Sequence, residues 1–196
     1  YPSVLRDIGE VRIIVSGSQL ASQLQREGID ACYLPKGYDN KVIADLGIPR
    51  TEAAAFVGRV KNKVYKKRKR FLLRQEKLGR VALLRADPGE PYNRLLNQIR
   101  CFVSADIGFG EYMIKNFEAM AAGCLLVAWR QPEQEQAALG FVEGENVVLY
   151  DSEQELEKKL AWLASDSPAA ERIARAGQAL VTKQHRWVDR AAVFPE

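Results

Sequence analysis

Apolar and polar positions along residues 101–129 change period twice. Cys101–Ser104 is a short, unbroken apolar run. Next comes a turn carrying Gly108 and Gly110, then a stretch in which Ile114, Phe117 and Ala121 recur at i, i+3 and i+7. Gly123 closes that stretch, and a second apolar run spans Cys124–Trp129. The pattern predicts a strand, a glycine turn, a helix from near Glu111 to Gly123 with those three residues as its buried stripe, and a strand. This is the βαβ unit of a parallel sheet. Glycines at the helix start let the backbone come close to a ligand, and the unpaired N–H groups and helix dipole there favour an anion such as phosphate.

The rest of the chain alternates in the same way. Val11–Val15 predicts a strand, Gln19–Glu27 a helix closed by Gly28, and Ala31–Leu34 a short strand running into Pro35-Lys36-Gly37-Tyr38-Asp39. Residues 40–54 read as a linker or a short helix. Ala55–Arg59 predicts the first strand of the main domain. Val60–Leu78 reads as a long basic helix with Val60, Val64, Phe71 and Leu78 as a broken apolar stripe. A strand over Val81–Arg85, a turn-rich loop over 86–91 and a helix over Tyr92–Arg100 follow. Beyond the central unit, 131–138 is polar and compatible with a short helix, Val147–Tyr150 is a strand, and two or three amphipathic helices finish the chain. Alternating β and α elements predict an α/β fold: a Rossmann-like parallel sheet flanked by helices.

Composition narrows the class. At 196 residues with 47% hydrophobic residues, the chain has room for one packed domain or a little more. No apolar run approaches the roughly 20 residues that span a bilayer. Cys32, Cys101 and Cys124 lie in or beside apolar runs without CxxC spacing, so they read as free thiols in a reducing, cytoplasmic setting. The opening Tyr1-Pro2, with no Met, reads as the start of an excised fragment. The net charge of +4 suits anionic substrates or an anionic surface and does not demand nucleic acid. Residues 66–70 (Lys-Lys-Arg-Lys-Arg) read as a solvated face, an anionic-membrane contact or a nucleic-acid patch, and sparse aromatic interleaving weighs against the last.

Glu118 lies off the apolar stripe and shares a helix face with Glu111 and Lys115. One reading is a solvated Glu–Lys pair. The other is a carboxylate that accepts two hydrogen bonds from adjacent hydroxyls, as on a ribose. Seven residues from the helix start place it about 10 Å along the axis, the reach from a diphosphate to its ribose.

The run Phe117-Glu118-Ala119-Met120-Ala121-Ala122-Gly123, followed by Leu125-Leu126-Val127-Ala128, resembles the FEAMAxGxxVV segment of glycosyltransferases with the two-domain GT-B fold. Residues 140–150 resemble that family's G-x-N-x-x-x-Y strand, residues 153–163 the helix after it, and 185–190 its closing H-(S/T)-W-x-x-R run. The similarity covers roughly residues 56–190. It implies that residues 55–196 are the nucleotide-sugar-binding domain with its closing helices, and that residues 1–54 are the end of the N-terminal, acceptor-binding domain plus the linker. It implies a metal-independent hexosyltransferase that needs no cofactor, the nucleoside diphosphate sugar being a substrate, with UDP, GDP, ADP and dTDP as the candidate nucleotides, and a glycan or lipid-linked molecule the acceptor. The absence of an Asp-x-Asp pair agrees with that.

By the same resemblance, Arg59, backed by Lys61 or Lys63, neutralises the diphosphate. Gly108, Gly110, Glu111 and Tyr112 frame the phosphate at the helix start, Arg85 and Tyr92 are candidates for the base, and Glu118 holds the ribose. His185 falls among the closing helices and reads as structural. One departure stands out. Retaining members carry two glutamates with seven residues between them; the second maps to Glu118 and the first to Gly110, so Asp106 or Glu111 is left as the candidate catalytic or sugar-binding carboxylate. Two alternatives stay open: a nucleotide-sugar epimerase, and a degenerate domain serving as a binding or assembly module. With the rest of the acceptor domain outside it, this chain alone is expected to transfer no sugar.

Overall fold

The computed structural model describes residues 12–60 and 65–192. Two parallel sheets are present. The smaller pairs β1 (Ile13–Val15) with β2 (Ala31–Tyr33), joined by helix α1 (Ser18–Arg26), and packs Leu24, Ile29 and Ala31 beneath itself. Residues 41–51 then run without helix or strand. Side chains hold this linker: Asn93 Oδ1 accepts from the Ala44 amide at 3.2 Å and Asn97 Oδ1 from the Leu46 amide at 2.7 Å.

The larger sheet is built from β3 (Glu52–Val57), β4 (Ala82–Leu84), β5 (Ile99–Ser104), β6 (Leu125–Trp129) and β7 (Val148–Tyr150). Its order is β4-β3-β5-β6-β7, all neighbours parallel. Between them run α2 (Lys66–Lys77), α3 (Glu90–Asn97), α4 (Ile114–Ala121) and α5 (Glu133–Leu139). The closing helices are α6 (Glu153–Ser165), α7 (Ser167–Gln184) and α8 (Trp187–Ala192). The α/β Rossmann-like fold is as expected from the alternation. β5 and β6 are buried on both faces, which is why they read as continuous apolar runs rather than alternating ones. Side-chain caps fix the starts of the closing helices: Ser152 accepts from the Glu155 amide and Asp166 from the Ala169 amide. No described helix is long and apolar enough to cross a membrane.

Several boundaries differ from the sequence pattern. β3 begins at Glu52 rather than Ala55, because the edge-proximal residues still pair with β5, Glu52 opposite Ile99. The helix expected over 92–100 ends at Asn97, since Ile99 and Arg100 already belong to β5. α4 starts at Ile114, three residues after Glu111, and Ile114 is 39% exposed; the buried face is Asn116, Phe117, Ala119, Met120 and Ala121 instead. In α2 the buried residues are Phe71, Leu72 and Gln75, whereas Leu78 lies beyond the last turn and is 49% exposed. Lys61, Lys63 and Val64 fall outside the described residues.

The N-terminal segment is anchored to the far end of the chain. Gly37 lies so close to the His185 carbonyl that an added Cβ would sit 2.4 Å from its oxygen. That approach lets the Tyr38 amide donate to the His185 carbonyl at 3.0 Å and the Trp187 amide donate to the Tyr38 carbonyl at 2.9 Å. His185 itself is buried against Phe117 and Phe141. Its Nε2 meets the Leu139 carbonyl at 3.0 Å and its Nδ1 meets the Arg190 guanidinium. Its place is structural.

Candidate functional site

The strand order sets where a ligand can sit. From β3 the chain crosses to β4 on one side, and from β4 it returns to β5 on the other. In an open parallel sheet this divergence leaves a crevice outside the carboxyl ends of β3 and β5. A cavity of about 970 Å³ opens there. Gly58 and Arg59 line it from the end of β3 and Ala86–Gly89 from the loop after β4. Tyr92 contributes from α3, Lys115 and Glu118 from α4, Arg68 and Tyr65 from the start of α2, and Trp187 from α8. Cationic, aromatic and carboxylate groups therefore converge on one space, as a site for a phosphorylated, ring-bearing ligand requires.

Glu118 is half-buried on the cavity wall and accepts a 2.6 Å hydrogen bond from the Tyr92 hydroxyl. Lys115 Nζ donates to that same hydroxyl at 3.3 Å and lies 4.6 Å from the centre of the Tyr92 ring. Burial pulls the Lys115 ammonium below its ordinary pKa, offset in part by Glu118. Burial pushes the Tyr92 phenol up, and the neighbouring Glu118 pushes it the same way, so the hydroxyl stays a donor. A carboxylate has about four lone-pair sites, so Tyr92 occupies one and leaves acceptor capacity on Glu118. Gly58 is required by this packing: a Cβ there would stand 3.2 Å from the Lys115 Cε and 3.1 Å from the Phe56 ring.

The loop between β5 and α4 is wound tightly. Gly108 and Gly110 have φ of 81° and 72°, a left-handed conformation that glycine adopts without strain. Asp106 is buried at its root. Its Oδ2 accepts from Ser104 Oγ (3.0 Å), Asn116 Nδ2 (2.8 Å) and the Met113 amide (3.2 Å). Burial raises its pKa, and these donors and Arg68 oppose the rise. Met113, whose amide Asp106 takes, is in extended backbone, and α4 begins at the next residue. From beneath, the Tyr150 hydroxyl donates to the Ser104 carbonyl at 2.7 Å and Gln131 Nε2 to the Asp106 carbonyl at 3.0 Å.

The remaining sequence candidates separate. Arg59 is on the cavity rim and exposed. Arg85 is exposed and does not line the cavity, while the loop directly after it does. Tyr112 turns into the core against Phe141, with ring centres 5.0 Å apart. Glu111 points away toward the small sheet, where Lys36 Nζ lies 2.6 Å from its carboxylate and Ser16 Oγ donates to it at 2.8 Å. Glu135, by contrast, carried no sequence signal; its carboxylate is buried and accepts from the Ser18 amide at the start of α1. Arg68 is the other residue the sequence pattern missed. It shares the inward face of α2 with Leu72 and Gln75 at i, i+4 and i+7, and that register was the available signal. Among the described residues, no group of three or more His, Cys, Asp or Glu is placed to hold a metal.

The five-stranded parallel sheet flanked by helices, with its crevice at the strand-order divergence, is the Rossmann-like fold of a GT-B glycosyltransferase domain. The model of the glycosyl transferase-like family matches residues 50–195, and the chain belongs to that family. The chain is similar to sucrose-phosphate synthase from Thermosynechococcus elongatus, with 15% identity, 97% of this chain and 58% of that one covered, and a TM-score of 0.71. It is also similar to HepE from Anabaena, solved in complex with UDP, with 15% identity, 92% and 61% coverage, and a TM-score of 0.70. A third similar structure is the C-terminal domain of the group 1 glycosyl transferase LpcC from Francisella tularensis, with 18% identity, 77% and 100% coverage, and a TM-score of 0.54. The chain thus spans about three-fifths of the length of the first two. A search of curated protein sequences found no match.

Proposed function

We propose that this chain is the donor-binding part of a metal-independent glycosyltransferase that takes a nucleoside diphosphate sugar, with UDP as its nucleotide, and that residues 1–54 bridge to an acceptor-binding domain. The observation that carries the proposal is the cavity at the strand-order divergence, which Arg68, Tyr92, Lys115 and Glu118 line together. In this reading the base rests on residues 86–89, the ribose hydroxyls share Glu118 with Tyr92, and the diphosphate lies toward Arg59 and the Gly108–Gly110 loop. Fixed positive groups there oppose the charge that builds on the departing diphosphate. The acceptor, a glycan or lipid-linked molecule, approaches from the side of the small sheet. Lys66, Lys67, Lys69 and Arg70 remain exposed and are available to an anionic membrane surface.

Nothing in the site favours an epimerase, which would want histidine near the sugar, since the single histidine is buried behind α4. The test is calorimetric titration of the chain with UDP, GDP, ADP and dTDP in the presence of chelator. Selective binding of UDP is expected, weakened by about 1.5–3 kcal/mol in Glu118→Ala, the range for a hydrogen bond to a charged group. Unchanged binding in the variant would refute the ribose role, and selection of another nucleotide would refute the UDP assignment.

A further inference from the structure

A second cavity, of about 410 Å³, lies at the opposite edge of the larger sheet, where β5 and β6 begin. Its walls are the linker before β3, the turn from α4 into β6 and one face of α7. Gly123 forms the floor. Its φ is 81°, and an added Cβ would stand 2.5 Å from Arg50 Nη2, 2.9 Å from Asp45 Oδ2 and 3.3 Å from Gln178 Nε2. A guanidinium, a carboxylate and a carboxamide therefore converge on the space that a side chain would fill. Each has hydrogen-bonding capacity to spare. Arg50 directs Nη1 to the Asn97 and Ile99 carbonyls and Nη2 to the Ala122 carbonyl, which leaves its Nε–H and a second Nη2–H without an acceptor among the described residues. Asp45 accepts from the Gly47 amide through Oδ1 and from Gln178 Nε2 through Oδ2, two of about four lone-pair sites. Gln178 donates through Nε2 to Asp45 and the Ala121 carbonyl, and its Oε1 accepts from no described residue. Spare donors and acceptors side by side suit hydroxyls, which do both. The rim adds positive charge. Arg100 is exposed there and makes no hydrogen bond or ion pair to any described residue. Arg175 is 81% exposed, and its pairing with Glu171, at 3.4 Å, is a surface pair of the kind that contributes little. Between rim and floor, α7 keeps the space open by presenting Ala170 and Ala174.

We propose that this cavity is a second binding site, for a small phosphorylated polyol of the sugar phosphate class. The phosphate meets Arg100 and Arg175 at the rim, and the hydroxyls meet Arg50, Asp45 and Gln178 at the floor. The volume falls within the range of small-ligand pockets. No aromatic side chain of the described residues lines the space to stack on a base, so a nucleotide is the poorer occupant. The site goes beyond the donor-site reading and does not rest on it. The donor cavity opens at the carboxyl ends of the strands, and this one at their amino ends.

The experiment is calorimetric titration of the full chain with glucose-6-phosphate, glycerol phosphate and inorganic phosphate, using wild type, Arg100→Gln and Ala174→Leu. Circular dichroism and the urea midpoint confirm that each variant is folded. Both polyol phosphates should bind wild type. Glucose-6-phosphate should bind at least about tenfold more tightly than inorganic phosphate, because its hydroxyls add to the anion contact. Arg100→Gln removes a rim charge and keeps a polar head, and a loss of about tenfold for glucose-6-phosphate is expected. Ala174→Leu fills the cavity from α7 and should abolish binding. Excess UDP should leave glucose-6-phosphate binding unchanged. Inorganic phosphate binding as tightly as glucose-6-phosphate would overturn the polyol assignment. Failure of wild type to bind either polyol phosphate, binding that both variants retain, or displacement by UDP would overturn the site altogether. The binding of UDP itself is read separately, so this site and the donor site fail independently.

Discussion

Acidification should loosen the join between the two ends of the chain through one residue. His185 is buried between Phe117 and Phe141, and burial, reinforced by the Arg190 charge beside Nδ1, lowers its pKa from 6.5 to about 4. The Leu139 carbonyl against Nε2 and the more distant Asp189 pull the other way and do not restore it. A lowered folded-state pKa in a base means that the unfolded chain binds the proton more tightly. The stabilising contribution is therefore complete above about pH 6.5 and is lost progressively as pH falls toward 4. The gap between 6.5 and about 4 corresponds to roughly 3 kcal/mol, a large share of a domain's stability. The assay is urea denaturation of wild type and His185→Gln at intervals from pH 7.5 to 4.5. Glutamine offers a donor for the Leu139 carbonyl and does not titrate. Carboxylates held below their usual range, such as Glu143 beside Lys159 and Arg130, lose stability in acid in both proteins and cancel in the comparison. Wild type should lose up to about 3 kcal/mol more than the variant across this window. Because the chain has one histidine, its imidazole proton signal also reports the titration without assignment. Parallel stability curves, or a histidine titrating near 6.5 in the folded protein, would refute the reasoning.

Other consequences are local. Gly37→Ala places a methyl 2.4 Å from the His185 carbonyl oxygen and should cost about 1–3 kcal/mol by overpacking, read as a lower urea midpoint with unchanged slope. Arg50 donates to the Ile99 carbonyl at 2.7 Å and the Ala122 carbonyl at 2.8 Å, tying the start of β5 to the end of α4. Arg50→Met keeps its apolar stem but strands those acceptors, and a loss of about 1.5–3 kcal/mol is expected in the same measurement.

Much of the frame is legible in the residues because its signals are local. Unbroken apolar runs mark β5 and β6, and the glycine turn marks the tight loop between β5 and α4. What the pattern misses depends on partners far away in sequence. α4 starts at Ile114, after a loop in which Gly108 and Gly110 take positive φ and Met113 is extended, a path that no local propensity reveals. Residues 41–51 look structureless and are in fact fixed by Asn93 and Asn97, about fifty positions on. Arg68 hides in a run of five basic residues whose composition suggests a solvated face. Only the register with Leu72 and Gln75 separates it from its neighbours, and that register becomes decisive once Leu72 and Gln75 are known to be buried.

The carboxylates near the glycine loop bear on how the sugar would be read. The position where the resembling retaining enzymes carry their first glutamate is Gly110. Asp106, four residues before, is spent on Ser104, Asn116, the Met113 amide and Arg68, so it organises the loop rather than facing the cavity. Glu111, the next residue, faces Lys36 and Ser16 from the small sheet, and that pairing gives it a mechanical role across the join. The carboxylates that do line the cavity are Asp39, Asp87 and Glu118. If Glu118 holds the ribose, the hydroxyls of the sugar must be met by groups other than a glutamate on the glycine loop: backbone amides there, or side chains brought in by the acceptor-binding domain. In the proposed donor-site reading, the departure at Gly110 bears on the sugar and not on the nucleotide, and it predicts that nucleotide affinity and sugar selectivity in this protein will respond to different residues.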